Sequence, residues 1–152
     1  MNKEVNLILP IDGKVIPLSE VNSYLFNNKM LGDGIAIKPE DNFVYSPIDG
    51  EITLVYEAKH AIAIKSPEGL NIMIHVGLDT VKLEGRGFAS YVKVGDKVKA
   101  GDKILFFDRE YVELKSSTTT PVVITNSELI ESIEVDYHAS KAKQEFLHIT
   151  LK

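Results

Sequence analysis

The sequence predicts an all-β fold, an antiparallel β-sandwich or barrel with short helical connectors, and three observations carry that reading. Turn signals recur every few residues: Pro10-Ile11-Asp12-Gly13, Gly32-Asp33-Gly34, Pro47-Ile48-Asp49-Gly50, Pro67-Glu68-Gly69, Gly85-Arg86-Gly87, Gly95-Asp96 and Gly101-Asp102. Between them lie short runs rich in Val and Ile, the composition of strands packed on a pleated surface. Helical patterning is confined to 19–21, 109–115 and 127–133, stretches of one or two turns that connect strands and form no layer.

Composition narrows the function classes. With 152 residues, 44% of them apolar, the chain can bury one ordinary core, so residues 1–152 are expected to be a single domain. The formal charge of −5 is spread over both signs, which leaves neither a basic footprint for nucleic acid nor an acidic disordered tract. Small molecules or other proteins are the expected partners. Cysteine is absent, which removes disulfide frameworks, thiolate nucleophiles and cysteine-based zinc or iron–sulfur sites. Residues 1–10 lack the pattern of a secretory signal, and no apolar run approaches the roughly 20 residues of a membrane span. A cytoplasmic protein without direct membrane insertion is expected.

Two local repeats stand out. Pro-Ile-Asp-Gly occurs at 10–13 and 47–50, each copy followed by a strand-like segment at 14–18 and 51–55, which hints at an internal pseudo-symmetry. An ordinary turn would also favour Pro and Gly at those offsets. The runs Val94-Gly-Asp-Lys-Val98 and Ala100-Gly-Asp-Lys-Ile104 repeat a Gly-Asp turn before an apolar residue.

The chemistry concentrates in residues 60–75. His60-Ala-Ile-Ala-Ile-Lys65 and Leu70-Asn-Ile-Met-Ile-His75 flank Ser66-Pro-Glu-Gly69, the pattern of an antiparallel hairpin. With a four-residue connection Lys65 faces Leu70, Ala63 faces Ile72 and His60 comes opposite His75. Directly opposed residues share a face with Cβ atoms about 5 Å apart. A one-residue slip would send the two rings to opposite faces. Two paired histidines in a strand-rich protein can simply stack or bond to backbone. They can also do chemistry, because neutral imidazole is nucleophile and donor near pH 7, and a phosphoryl group on one ring could be hydrogen-bonded by the other.

His75-Val-Gly-Leu-Asp-Thr-Val-Lys-Leu resembles the phosphorylated-histidine segment of the glucose-class IIA proteins of the phosphoenolpyruvate-dependent sugar phosphotransferase system. The likeness extends through Lys29-Met-Leu-Gly-Asp-Gly-Ile-Ala-Ile-Lys-Pro39, Ile48-Asp-Gly-Glu-Ile, Lys59-His-Ala-Ile, Gly85-Arg-Gly-Phe88, Val94 to Asp102 and Ser116-Ser-Thr-Thr-Thr-Pro-Val-Val-Ile-Thr-Asn126, in the family's order. The resemblance implies a sandwich of the duplicated hybrid-motif type and a phosphocarrier. His75 matches the residue phosphorylated on Nε2 by phospho-HPr, and the phosphoryl group then passes to a IIB domain of a sugar permease. His60 matches the supporting histidine, and Gly77 the residue whose carbonyl takes the Nδ1–H of His75. Phe26, Met30 and Val81 match the apolar docking patch. Regulatory target proteins are a further implied class of partner, and a mainly regulatory role is the alternative within the family. No metal and no organic cofactor is implied. The family commonly has a threonine two residues before the supporting histidine. Here Ala58 stands there, so another group must orient His60.

The remaining candidates have plainer roles. Asp79, four residues past His75, reads as a structural or docking carboxylate, because a second negative charge beside a phosphoryl group is unfavourable. Phe26 and Met30, four apart, also fit an ordinary core pair, a reading secondary to the docking patch. His138 and His148 read as surface histidines. His75-x-x-x-Asp79 is also half of a zinc-hydrolase pattern, but the second half, a His-x-His pair, is absent, as is His-Glu-x-x-His. A lipoyl- or biotinyl-type carrier would need a modifiable lysine flanked by Met or Asp on its hairpin, and Met-Lys-Met and Asp-Lys-Ala do not occur.

Overall fold

The computed structural model describes residues 3–152, which form thirteen strands, with the seven turn signals falling at or between strand ends. In chain order these are β1 (Glu4–Ile8), β2 (Gly13–Pro17), β3 (Asp33–Pro39), β4 (Phe43–Tyr45), β5 (Gly50–Val55), β6 (Ala61–Lys65), β7 (Asn71–His75), β8 (Phe88–Ser90), β9 (Lys97–Val98), β10 (Lys103–Phe107), β11 (Thr120–Ile124), β12 (Ile130–Val135) and β13 (Glu145–Leu151). A seven-stranded sheet of order β2-β3-β11-β7-β6-β5-β9 is accompanied by two three-stranded sheets, β1-β13-β12 and β4-β10-β8. The pairings are antiparallel and no barrel closes, so the sandwich form of the expected class is the one adopted.

The main core lies on the inner face of the large sheet, where Ile35, Ile37, Ile62, Ile64, Ile72, Ile74, Val122 and Ile124 meet Leu7, Leu9, Phe107 and Ile149. The interior strand β11 is buried at all five positions because its outer face is covered too. That cover is the segment holding a 3₁₀ turn, Leu18–Glu20, and helix α1 (Tyr24–Asn27). Leu18, Val21 and Phe26 pack there against Ala36, Met73, Leu78 and Val123, a second and smaller apolar cluster. A four-residue helix shows no periodicity, so α1 escapes a pattern search.

Of the expected connectors, 109–115 is helix α2 (Arg109–Lys115), capped by Asp108, whose carboxylate accepts from the Tyr111 N–H at 3.1 Å. The stretch 19–21 falls on the first 3₁₀ turn. The stretch 127–133 is helical only over Ser127–Leu129 and then becomes β12. Ile130 and Ile133 imitate a helical i, i+3 spacing, but a register shift between Ile130 and Ser132 against β13 inserts one residue and lets both pack on the core.

The Pro-Ile-Asp-Gly repeat is structural. The Tyr45 N–H donates to the Pro10 carbonyl at 2.7 Å and the Ile8 N–H to the Pro47 carbonyl at 3.0 Å, so each copy is held beside the other. The Asp12 carboxylate accepts from the Ala142 N–H at 2.7 Å, and the Asp49 carboxylate from the Ala100 N–H at 2.8 Å. Both glycines open a strand where a Cβ would collide with a neighbouring carbonyl, 2.3 Å from Lys38 O at Gly13 and 2.5 Å from Lys65 O at Gly50. The Gly-Asp turns also match, with Asp96 and Asp102 each accepting at 2.9 Å from the N–H three residues earlier.

Candidate active site

The β6–β7 hairpin carries the histidines, and its register differs by one residue from the sequence expectation. Lys65 pairs with Asn71, Ala63 with Met73 and Ala61 with His75. The connection is odd-numbered. The Gly69 N–H donates to Ser66 O at 2.9 Å, Gly69 takes φ +94°, and the Ser66 N–H donates to Leu70 O at 2.9 Å. This is a tight turn ending in a left-handed glycine, a three-residue connection of Pro67, Glu68 and Gly69. The glycine in third place was the available signal.

His60 therefore does not stand opposite His75 on a strand, yet the two rings meet edge to face, 4.8 Å between centroids. Face alternation does not extend to His60, because β6 begins at Ala61 and the preceding Lys59 has φ +62°. The turn is closed by the Lys59 N–H donating to Tyr56 O at 2.7 Å. The backbone carbonyl of His60 accepts from the Val76 N–H at 2.7 Å, and opposite His75 the strand carries only the methyl of Ala61. Loop geometry, not strand pairing, brings the imidazoles together.

His75 ends β7 and is half-buried. Its Nδ1 lies 2.8 Å from the Gly77 carbonyl. A carbonyl only accepts, so Nδ1 carries the proton and the Nε2 lone pair is left free. Gly77 is held where it is by its surroundings. At φ +78° a Cβ on it would lie 2.4 Å from Thr80 Cγ2 and 2.5 Å from Ser117 O. Buried Thr80 donates to Val76 O at 2.6 Å, the Leu78 N–H donates to Ser117 O at 3.0 Å, and the Ser116 hydroxyl donates to Leu78 O. Thr80, Ser116 and Ser117 support the ring-holding carbonyl; sequence reasoning saw all three only as parts of matching blocks.

Both rings are kept neutral. Burial, and secondarily the neighbouring His75, push His60 down to about 4. Burial also lowers His75, opposed by the Gly77 carbonyl, its own backbone and the Asp79 carboxylate. His60 is 2% exposed, and its Nδ1 is buried without a hydrogen-bond partner.

In front of His75 lies an open cleft of about 1030 Å³ whose lining includes Phe26, Met30, Leu54, Tyr56, His75 and Val81. Phe26 is buried and packs edge to face on His75 at 5.3 Å, whereas Met30 and Val81 are 61% and 60% exposed. Asp79 is exposed at the rim, in a left-handed conformation. Phe26 and Met30 thus divide between core and surface. Tyr56 and Leu54 join the cleft unforeseen; Leu54 gets there through a register shift after Ile52 that sets it beside Ala63. His138 is exposed and His148 lies on the β1-β13-β12 sheet, its Nδ1 against Asn6 Oδ1 and its Nε2 3.4 Å from Glu4. Among the described residues no three His, Asp or Glu gather into a metal-holding group, so the zinc-hydrolase pattern does not extend beyond His75 and Asp79. Nor is any described helix long and apolar enough to cross a membrane.

The family described as phosphoenolpyruvate-dependent sugar phosphotransferase system, EIIA 1, matches residues 5–130. A glucose-specific EIIA component of Bacillus cereus is 46% identical over 152 residues, covering 98% of this chain and 92% of the relative. A glucose-specific EIICBA component of Staphylococcus saprophyticus is 44% identical over 126 residues, 82% of this chain but 19% of that much longer protein. Among solved structures, the glucose permease IIA of Mycoplasma capricolum superposes with a TM-score of 0.91 at 34% identity, covering 97% of this chain and 96% of the other.

Proposed function

The chain belongs to the EIIA type 1 family of the phosphoenolpyruvate-dependent sugar phosphotransferase system, in its glucose class, and from that premise we propose that it is a phosphocarrier acting through His75. The single observation that carries the reading is the Gly77-anchored ring of His75, whose Nε2 is unprotonated beside a neutral second imidazole. In the first transfer the P–N bond in phospho-HPr breaks as a bond from phosphorus to His75 Nε2 forms; the donor nitrogen keeps the electron pair. In the second, a nucleophile on a IIB domain attacks the same phosphorus and His75 Nε2 leaves with its pair. Such a loose transition state asks for alignment and charge stabilisation more than for covalent machinery. His60, with Nδ1 turned inward, offers an Nε2–H to the phosphoryl oxygens.

Exposed apolar residues beside a nucleophile suit a brief docking surface for two successive partners, and Met30 and Val81 supply them. Residues 1–152 act as one EIIA domain in this reading, in the cytoplasm, where HPr is. The test is incubation with phosphoenolpyruvate, enzyme I and HPr, followed by intact-mass measurement and site mapping. One acid-labile phosphoryl group on His75 is expected. His75→Gln abolishes labelling, while His60→Gln still labels but passes the group to IIB slowly. The reverse assignment of effects, or no labelling beside a competent control, refutes the reading.

A further inference from the structure

Four rings lie edge to face in succession: Tyr56, His60, His75 and Phe26, with centroids 5.2, 4.8 and 5.3 Å apart and planes inclined by 78°, 80° and 61°. Two of them differ in how they are held. His75 has a directional bond to Gly77, whereas no hydrogen-bonding group reaches His60 Nδ1, and Ala58, two residues earlier, has no polar side-chain atom to offer. The Val76 N–H fixes the main chain of His60 but leaves its side-chain torsions free. What remains to orient the ring is packing.

Tyr56 is built to supply it. Its backbone is pinned on both sides, the N–H donating to Ala61 O at 3.0 Å and the carbonyl accepting from the Lys59 N–H at 2.7 Å. The residue is 37% exposed and lies outside both apolar core clusters, so the ring contact it makes is with His60 at the surface of the fold. It stands between the cleft in front of His75 and an adjoining cavity of about 700 Å³ that reaches His60, Ala58, Glu57 and Glu84. Edge-to-face contact has a preferred geometry, unlike simple apolar burial, and so can select one orientation of the imidazole.

We propose that Tyr56 is a positioning residue: its ring holds the His60 imidazole against His75 in the orientation that presents Nε2 to the phosphoryl group. The orientation is a property of the free protein; only its consequence for transfer rests on the phosphocarrier reading above. The charged or titratable groups near the ring are His75, Glu57 and Glu84, and none of them bonds to it.

The experiment is ¹⁵N NMR of the imidazoles in the full chain, paired with phosphoryl-transfer rates. In the parent protein His60 shows one tautomer, protonated on Nε2, and titrates far below its ordinary value. In Tyr56→Ala the ring turns and takes up water, both tautomers are populated, and the midpoint moves up by about one unit or more. In Tyr56→Phe the ring is retained and so is the parent spectrum. His75 of Tyr56→Ala is still labelled by phospho-HPr, but transfer to IIB slows by about tenfold, and Tyr56→Phe transfers normally. A Tyr56→Ala spectrum identical to the parent's overturns the proposal, and so does an altered spectrum with an unchanged rate of onward transfer. A parent protein that takes no label refutes the carrier reading instead, and the spectra then judge the ring contact by themselves.

Discussion

The buried, neutral His60 makes a quantitative claim about stability in acid. Its pKa is about 4 in the folded protein against an ordinary 6.5 in the unfolded chain. Between those values the unfolded chain binds a proton that the folded protein refuses, so stability rises with pH across the window. The contribution is fully present above 6.5 and is lost as pH falls towards 4. That difference corresponds to about 3 kcal/mol, most of which is already gone at pH 4.5. His75 is lowered by burial as well and acts in the same direction, so a single acid titration would mix the two. His60→Gln separates them, because it keeps His75 and removes only the His60 proton. Urea unfolding at pH 7.5 and pH 4.5 should show the parent protein losing roughly 2–3 kcal/mol more than the variant. Equal losses in the two proteins would mean that His60 is not held in a desolvated site, and the argument for its neutrality would fail.

Three further outcomes follow from the geometry. Gly77→Ala sets a methyl against Thr80 and the Ser117 carbonyl in a left-handed backbone; thermal unfolding should show a loss of about 2–4 kcal/mol, and labelling of His75 should fall as its anchor moves. Gly69→Ala meets no atom within 4 Å, so only its left-handed φ penalises it; about 1 kcal/mol should be lost in urea unfolding, with transfer unaffected. Met30→Asp and Val81→Asp, both at exposed positions, should leave stability within about 0.5 kcal/mol while raising KM for phospho-HPr more than they lower kcat.

Much of the fold was legible because its signals are local. Pro-Ile-Asp-Gly, the Gly-Asp turns and the Val- and Ile-rich runs each state a backbone requirement in a few residues, and β2 and β5 begin within a residue of where they say. The shifted reading of 127–133 shows the limit: Ile130 and Ile133 have helical spacing, and only the irregular pairing with β13 turns them into a strand. The pairing of the histidines was inferred from a hairpin register that the molecule does not use. The proximity is real, but it comes from the turn at Lys59 and the small Ala61, which no counting along strands could foresee.

By itself the sequence determined the fold class and the family and singled out His60, His75 and Gly77 as candidates, since these depend on residue types at short or colinear spacings. The tertiary structure alone decided how the site works as an environment. Which ring nitrogen of His75 is occupied, how dry His60 is, that its Nδ1 lacks a partner and that Tyr56 lies against it all depend on groups brought together from the 56–61 turn, the β7 end and the 116–117 segment. Desolvation and hydrogen-bond direction are properties of that enclosure, and they exist only once the chain has closed around it.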